Sequence, residues 1–289
     1  MVGLFLMTQK GWEVLQGIWP QYGKLIRYIV AEPDTNVEKD FYHEIHKFAM
    51  VQRVPFFSRK DHISIPVKHK IAIGWRWLIE ESENLVIFHD SLLPRYRGFN
   101  PLVSALINGE KRIGVTALKA TKEYDCGEIF FQIGKKIPTP IKIQKAIEIV
   151  SEIYLTLSLR LLKKISRGER ISSKPQKESL ATYSLWRDER DYRICWAESS
   201  EYIRRFVAAT GFPYKGASSL LNGSLVRILD AEIETDEKIE NRVPGKVIFL
   251  RNNLPVVVCG KGLLIIKALY SGQGKENLLP LTTFRSRFE

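Results

Sequence analysis

His89-Asp90-Ser91-Leu92-Leu93-Pro94-Arg95-Tyr96-Arg97-Gly98 follows directly on the apolar run Leu85-Val86-Ile87-Phe88, and this stretch decides the fold. A short apolar run ending in turn formers reads as a strand buried on both faces. Its carboxyl end delivers an imidazole, and in open α/β sheets that is the edge where ligands bind. Pro94 stiffens the next turn, Gly98 admits close backbone approach, and Arg95 and Arg97 carry planar cationic forks. A lone histidine is more often a structural ring than a catalytic one. Further on come Gly114-Val115-Thr116 and Asp125-Cys126-Gly127. Asp125 sits in a polar loop after a strand-like run, where a solvated turn carboxylate is the common occupant. If the chain brings Asp125 to His89, the pair forms a base whose imidazolium is stabilised by a carboxylate.

Working outward, strand-like and helix-like stretches alternate. Val2–Met7 reads as a strand and Trp12–Trp19 as a helix; Leu25–Ala31 is the next strand and Val37–Gln52 the next helix. Ile71–Ile73 and Arg112–Ala120 are further strand candidates, and 100–108 has helical spacing with Pro101 in its first turn. Such alternation predicts an α/β domain with a Rossmann-like, mainly parallel sheet. No glycine-rich dinucleotide fingerprint follows the first strand. Apolar residues from Ile143 to Ile165 recur at helical spacing, which predicts one long amphipathic helix ending near Gly168. Residues 166–180 are polar and basic and read as a linker between a first domain, 1–165, and a second, 181–289. In the second domain 194–210 looks helical. Short strand-like runs follow at 225–229, 246–250, 255–259 and 263–268, and they predict a smaller OB-like β-barrel.

The 289 residues are 45% apolar and 26% charged, an ordinary balance for a folded globular chain and not for a disordered one. No apolar stretch is long enough to span a membrane. Three dispersed cysteines, Cys126, Cys195 and Cys259, fit neither a disulfide framework nor a zinc site and suit a reducing cytoplasm. The net charge of +12 is uneven. Residues 181–289 hold 16 basic and 13 acidic groups, whereas 141–180 alone hold 9 basic against 4 acidic. A basic segment of this kind suits phosphates, of a nucleotide sugar or a tRNA, and equally a solvated helix face.

Together with Pro101, Asn108-Gly109-Glu110 and Glu128-Ile129, the quoted motifs resemble the signature of the folate-dependent formyltransferases over about residues 85–132. Trp196, Ile203, Arg204, Pro213, Gly216-Ala217, Pro244-Gly245 and Cys259-Gly260-Lys261-Gly262-Leu263 resemble that family's OB-like C-terminal domain. Residues 1–70 match only in texture. The resemblance implies transfer of a formyl group from N10-formyltetrahydrofolate to a primary amine, with no metal. By it, His89 takes a proton from the amine or stabilises the tetrahedral intermediate, and Asp125 orients it. It implies that Ile73, Gly74, Trp75, Tyr124 and Gly127 form the cofactor site, with Trp75 stacking on the pterin or serving as plain core. It implies that Ser91, Arg95, Tyr96, Arg97, Gly98 and Asn100 meet the acceptor; by residue type alone, Tyr96 or Phe99 suits stacking on a ring of a sugar nucleotide. One position departs from the family: an Asn two residues before the histidine is here Ile87, which donates nothing. Losing an oxyanion donor costs roughly 100- to 1000-fold in rate. Three readings stay open: another donor such as nearby Asn100 fills the role, the acceptor needs less help, or the chain is a poor enzyme or a non-catalytic folate- or RNA-binding relative.

For the acceptor, the stretch Glu32-Pro33-Asp34-Thr35-Asn36-Val37-Glu38-Lys39-Asp40 is short and acidic where tRNA-acting members carry a basic insertion. That favours a nucleotide-linked amino sugar over methionyl-tRNA. The basic run Lys163, Lys164, Arg167, Arg170, Lys174 and Lys177 favours the tRNA. The enzyme is expected as a monomer or homodimer, away from membranes.

Overall fold

The structure is a computed structural model describing residues 1–79 and 83–289. It divides into two compact units, one of residues 1–102, 112–137 and 145–185, the other of 103–111, 138–144 and 186–289.

Eight strands of the first unit are β1 (Val2–Leu6), β2 (Ile26–Ala31), β3 (Phe56–Phe57), β4 (His69–Ile73), β5 (Leu85–His89), β6 (Arg97–Gly98), β7 (Arg112–Lys119) and β8 (Ile129–Lys136). Seven of them form one sheet in the order β3-β2-β1-β4-β5-β7-β8. The first five in that order are parallel; at one edge β7 pairs antiparallel with β5 and β8 pairs antiparallel with β7. The mainly parallel sheet expected from the sequence is present. The chain leaves β1 to one side through β2 and β3, then returns to β1's other side with β4. This reversal opens a crevice at the carboxyl ends of the strands. β6 pairs in parallel with the two-residue β9 (Tyr183–Ser184).

Alternation along β5 sends its side chains to opposite faces. Phe88 stacks on Tyr154 of a long helix at 5.6 Å between ring centroids. Leu85 and Ile87 point the other way, into a cluster with Phe5, Tyr28, Val30, Ala72, Ala120 and Trp75. His89, two residues on, shares that second face.

The helices are α1 (Thr8–Tyr22), α2 (Tyr42–Val51), α3 (Pro101–Ile107), α4 (Ile143–Ser166) and α5 (Ser200–Thr210). α2 starts five residues later than the sequence suggested. The reason is a polar turn: Asp40 accepts from the backbone N–H of Asp34 and of Tyr42, and Asp34 accepts from Asn36. α4 ends as its composition implies, with Gly168 at φ +66° and the N–H groups of Gly168 and Glu169 returning to Ile165 and Lys164. The space around Gly168 is open, so a methyl there meets only backbone strain. Gly168→Ala is therefore expected to cost about 1–2 kcal/mol, read from the urea midpoint.

The basic segment after α4 does not hang free. Lys174 exchanges two backbone hydrogen bonds with Ile129, and the strand pair β6–β9 draws in residues up to Ser184. Composition alone suggested a linker because polar side chains facing solvent conceal a backbone that is pinned.

The second unit holds an antiparallel sheet of five strands, β10 (Ala217–Leu221), β11 (Ser224–Glu234), β12 (Val247–Arg251), β13 (Leu254–Val258) and β14 (Leu263–Ser271), in the order β10-β11-β14-β13-β12. α5 begins at residue 200, six later than expected, where the Ser199 hydroxyl accepts from the Tyr202 N–H. The last residues run between the two edge strands. Leu220 and Glu289 exchange backbone bonds, Asn222 donates to Arg287, Phe288 donates to Gly245 and Val247 donates to Ser286. Both exposed edges are thereby covered. No helix among the described residues is long and apolar enough to cross a membrane.

Candidate active site

β5 carries His89 to the end of the sheet, where the ring is 7% exposed. Its Nε2 lies 2.7 Å from the Tyr96 carbonyl oxygen. A carbonyl only accepts, so Nε2 is the protonated nitrogen of the resting ring. Nδ1 is then the basic nitrogen, and it faces Asp125 Oδ2 at 3.4 Å. A proton arriving on the ring lands beside a carboxylate.

Asp125 is held from several sides. Its Oδ2 accepts from the Gly98 N–H at 2.9 Å, and its backbone sits at φ +55°. Gln176 donates from Nε2 to the carbonyls of Asp125 and Gly127, at 2.6 and 2.8 Å. Gly98, at φ +94°, has room for nothing larger, since a Cβ would lie 2.7 Å from the Ser184 carbonyl oxygen.

The turn between His89 and Gly98 is tied to the sheet by Thr116. Its hydroxyl donates to the Ser91 carbonyl and accepts from the Leu93 N–H, while Gln132 donates to it from Nε2 at 2.8 Å. Neither Gln132 nor Gln176 stood out in the sequence. Gln132 is a lone polar residue in an apolar stretch of strand and Gln176 a lone glutamine in a polar segment, and only the fold shows what each reaches.

The remaining expected site residues fall into two groups. Gly74 (φ +65°) and Trp75 follow β4 at the sheet's carboxyl edge, Asn100 precedes α3, and Tyr124 lies in the β7–β8 loop next to Asp125; Trp75 is half-buried and Tyr124 54% exposed. Trp75 meets Phe5 and Trp77 edge-on, and its indole N–H is buried without a partner. Tyr124 tilts against Phe99 at 5.6 Å. Arg95 is exposed, its guanidinium 5.1 Å from the Tyr96 ring centroid.

The second group is turned inward. Ile73 is fully buried, so it can offer a ligand only backbone. Gly127 is packed against Lys119, whose carbonyl a Cβ would strike. Ser91 is 5% exposed and donates to the Arg95 carbonyl. Tyr96 is buried, donates its backbone N–H to Thr182, and has its ring beneath the Arg95 guanidinium. Arg97 corrects the sequence reading most sharply. Its side chain is fully buried and bonds Gln176, Glu178 and Tyr183. The hydrogen bond to Glu178 leads the effects that hold it firmly protonated. An arginine expected to grip an anionic ligand is instead an internal bolt.

Ile87 is half-buried against the apolar cluster that includes Trp75. Among the described residues no group of three or more His, Cys, Asp or Glu is arranged to hold a metal. A concavity of about 380 Å³ lined by Tyr22, Lys24, Lys163 and Arg167, among others, shares no residue with this site.

Comparison with known proteins accounts for the arrangement. The formyl transferase family profile matches residues 73–148, and the profile of its C-terminal domain matches 188–279. A methionyl-tRNA formyltransferase of Carboxydothermus hydrogenoformans is 32% identical over 275 residues, 86% of either chain. The chain belongs to the formyltransferase family. A second methionyl-tRNA formyltransferase, from Methylobacillus flagellatus, is 32% identical over 187 residues; that match spans 65% of this chain and 59% of the relative. An N-formyltransferase of Helicobacter canadensis, solved with folinic acid and dTDP-3-aminofucose, superposes with a TM-score of 0.67 over 92% of this chain and 98% of its own, at 14% identity. At that identity the likeness establishes a formyltransferase fold.

Proposed function

We propose that this chain transfers the formyl group of N10-formyltetrahydrofolate to a primary amine, and that the amine belongs to a nucleotide-linked amino sugar. One observation carries the reaction: His89 Nδ1 lies 3.4 Å from Asp125, with Nε2 anchored on the Tyr96 carbonyl. The folate supplies an activated formyl carbon. The amine nitrogen forms the new C–N bond, and His89 Nδ1 takes the proton it sheds. Asp125 stabilises the resulting imidazolium, which returns the proton to the departing folate nitrogen as its bond to carbon breaks. The products are a formamide and tetrahydrofolate. Trp75, with its buried unpartnered N–H, suits a flat heterocycle with acceptor atoms on its edge. Gly74 and Tyr124 flank the same crevice. Asn100 supplies the carboxamide that Ile87 lacks.

The β2–α2 loop supports a small acceptor. Its lysine, Lys39, is paired with Glu44 at 3.4 Å. Asp34 is paired with Arg76 at 2.5 Å, and Asp40 is spent on backbone N–H groups. The loop's one lysine is thus taken up, which leaves the loop without the free cations a tRNA contact needs. Methionyl-tRNA is the second reading. It is favoured by the names of the sequence relatives and by the basic run from Lys163 to Lys177. On either reading the second unit is an OB-like barrel, supported by the residues that bridge its edge strands. The enzyme works in the cytoplasm as a monomer or homodimer, consistent with its three free cysteines.

The test is release of tetrahydrofolate from N10-formyltetrahydrofolate, followed against a panel of nucleotide-linked amino sugars and methionyl-tRNA. Release that requires an amino sugar supports the proposal. Release with the tRNA alone moves the assignment to the second reading. Folate binding with no release for any acceptor overturns formyl transfer and leaves a non-catalytic binding relative.

A further inference from the structure

On the opposite face of β5 from His89, the next residue turns its carboxylate inward. Asp90 Oδ2 lies 2.5 Å from Lys10 Nζ, in the first turn of α1. Its Oδ1 accepts from the Tyr154 hydroxyl, in the middle of α4, and that hydroxyl also lies 3.2 Å from the Phe88 carbonyl oxygen. Lys10 Nζ is 5.7 Å from the centroid of the Tyr154 ring. Three elements, α1, β5 and α4, thus converge on one carboxylate adjacent in sequence to the catalytic ring. The Lys10 and Asp90 side chains are only 15% and 13% exposed.

Burying an ion pair is costly, and an apolar trio of similar volume commonly holds a fold at least as well. Stability alone therefore gives little reason for charges here. We propose that Lys10, Asp90 and Tyr154 are positioning residues for the catalytic histidine: they clamp the end of β5 and set the charge felt by the His89 ring from behind, while Asp125 acts on it from the front. This rests on the formyl-transfer reading given above.

The electrostatics are consistent with the geometry. Burial would raise the Asp90 carboxyl, but the Lys10 charge and the hydrogen bonds from Lys10 and Tyr154 outweigh it and hold it below the usual carboxylate range. Burial, then the adjacent Asp90, pushes the Tyr154 phenol well above its ordinary value, so it stays a donor. Asp90 also feels the His89 charge across the strand, so the ring has the Lys10–Asp90 pair behind β5 and Asp125 on its own side. Removing one member of the matched pair leaves the other uncompensated.

The experiment is NMR titration of the His89 ring in the ligand-free full-length protein, for wild type, Lys10→Met, Asp90→Asn and the double variant, with pH–rate profiles alongside. Lys10→Met leaves a bare carboxylate, which favours the protonated ring, and moves the His89 midpoint up by about one pH unit. Asp90→Asn leaves a bare ammonium and moves it down by a similar amount. The double variant returns to within a few tenths of wild type, and Lys10→Arg, which keeps the charge, stays with wild type. Opposite shifts cancelling in the double variant establish the role. Equal shifts in both singles, or none while unfolding temperatures fall, overturn it and leave a structural ion pair. If Lys10→Met does not fold, Asp90→Asn and Lys10→Arg still decide the matter. The titration requires no turnover, so failure of the formyl-transfer reading shows separately, as an inactive wild type.

Discussion

His89→Asn is expected to lower kcat by about 10²–10⁴-fold, with folate affinity nearly unchanged. The carboxamide of the new Asn ends at the depth of the ring's Nδ1, so the 2.7 Å contact of Nε2 with the Tyr96 carbonyl is lost with the ring. With it goes Nδ1, the nitrogen 3.4 Å from Asp125 that the proposed reaction uses as its base, and an amide nitrogen does not take a proton in its place. Asp125→Asn should fall in the same range, because its carboxamide oxygen still accepts from the Gly98 N–H while the charge that supports the imidazolium is gone. The two losses should not add, since each group works through the other. Single-turnover kinetics with saturating folate and acceptor separate chemistry from binding. A kcat within tenfold of wild type for His89→Asn would remove the ring from the mechanism.

The sequence made the site legible where local chemistry and local geometry coincide. A strand of four apolar residues followed by His, Pro and Gly specifies its own edge position, and β5 does end on His89. The long helix was equally readable, since its apolar spacing and Gly168 mark both its face and its stop. Long-range reach was not readable. Arg97 was expected at a ligand because arginine in a glycine-rich turn suggests an anion, whereas its true partners lie about eighty positions away in a segment whose composition suggested a linker. Gln176 was invisible for the same reason. The Lys10–Asp90–Tyr154 cluster assembles from three elements, and no spacing rule links them. In the acidic β2–α2 loop composition shows the charges but not their partners: Asp34 meets Arg76, Asp40 meets backbone N–H groups and Glu32 meets Arg59.

Arg97→Met offers the clearest separation between a ligand-binding arginine and a structural one. Methionine matches much of the volume and the flexibility of the stem but donates nothing. Gln176 Oε1 then loses a donor at 2.9 Å, and Glu178 loses both of its short contacts, at 2.8 Å each. The Glu178 side chain is 73% exposed, so water recovers most of that loss. Gln176 is half-buried, and water does not recover it as easily. It is also the residue whose other end holds the carbonyls of Asp125 and Gly127, so slackening it loosens the loop that places Asp125 beside His89. The expected result is a loss of about 3 kcal/mol in urea unfolding, with kcat falling while acceptor KM changes little. Arg97→Lys should recover only part of this, because one ammonium does not serve both Gln176 and Glu178 as a planar fork does. The opposite pattern, unchanged stability with a raised KM for the acceptor, would return Arg97 to the substrate. It would also require the segment 174–184 to move aside during turnover, since in its present position that segment covers the guanidinium completely.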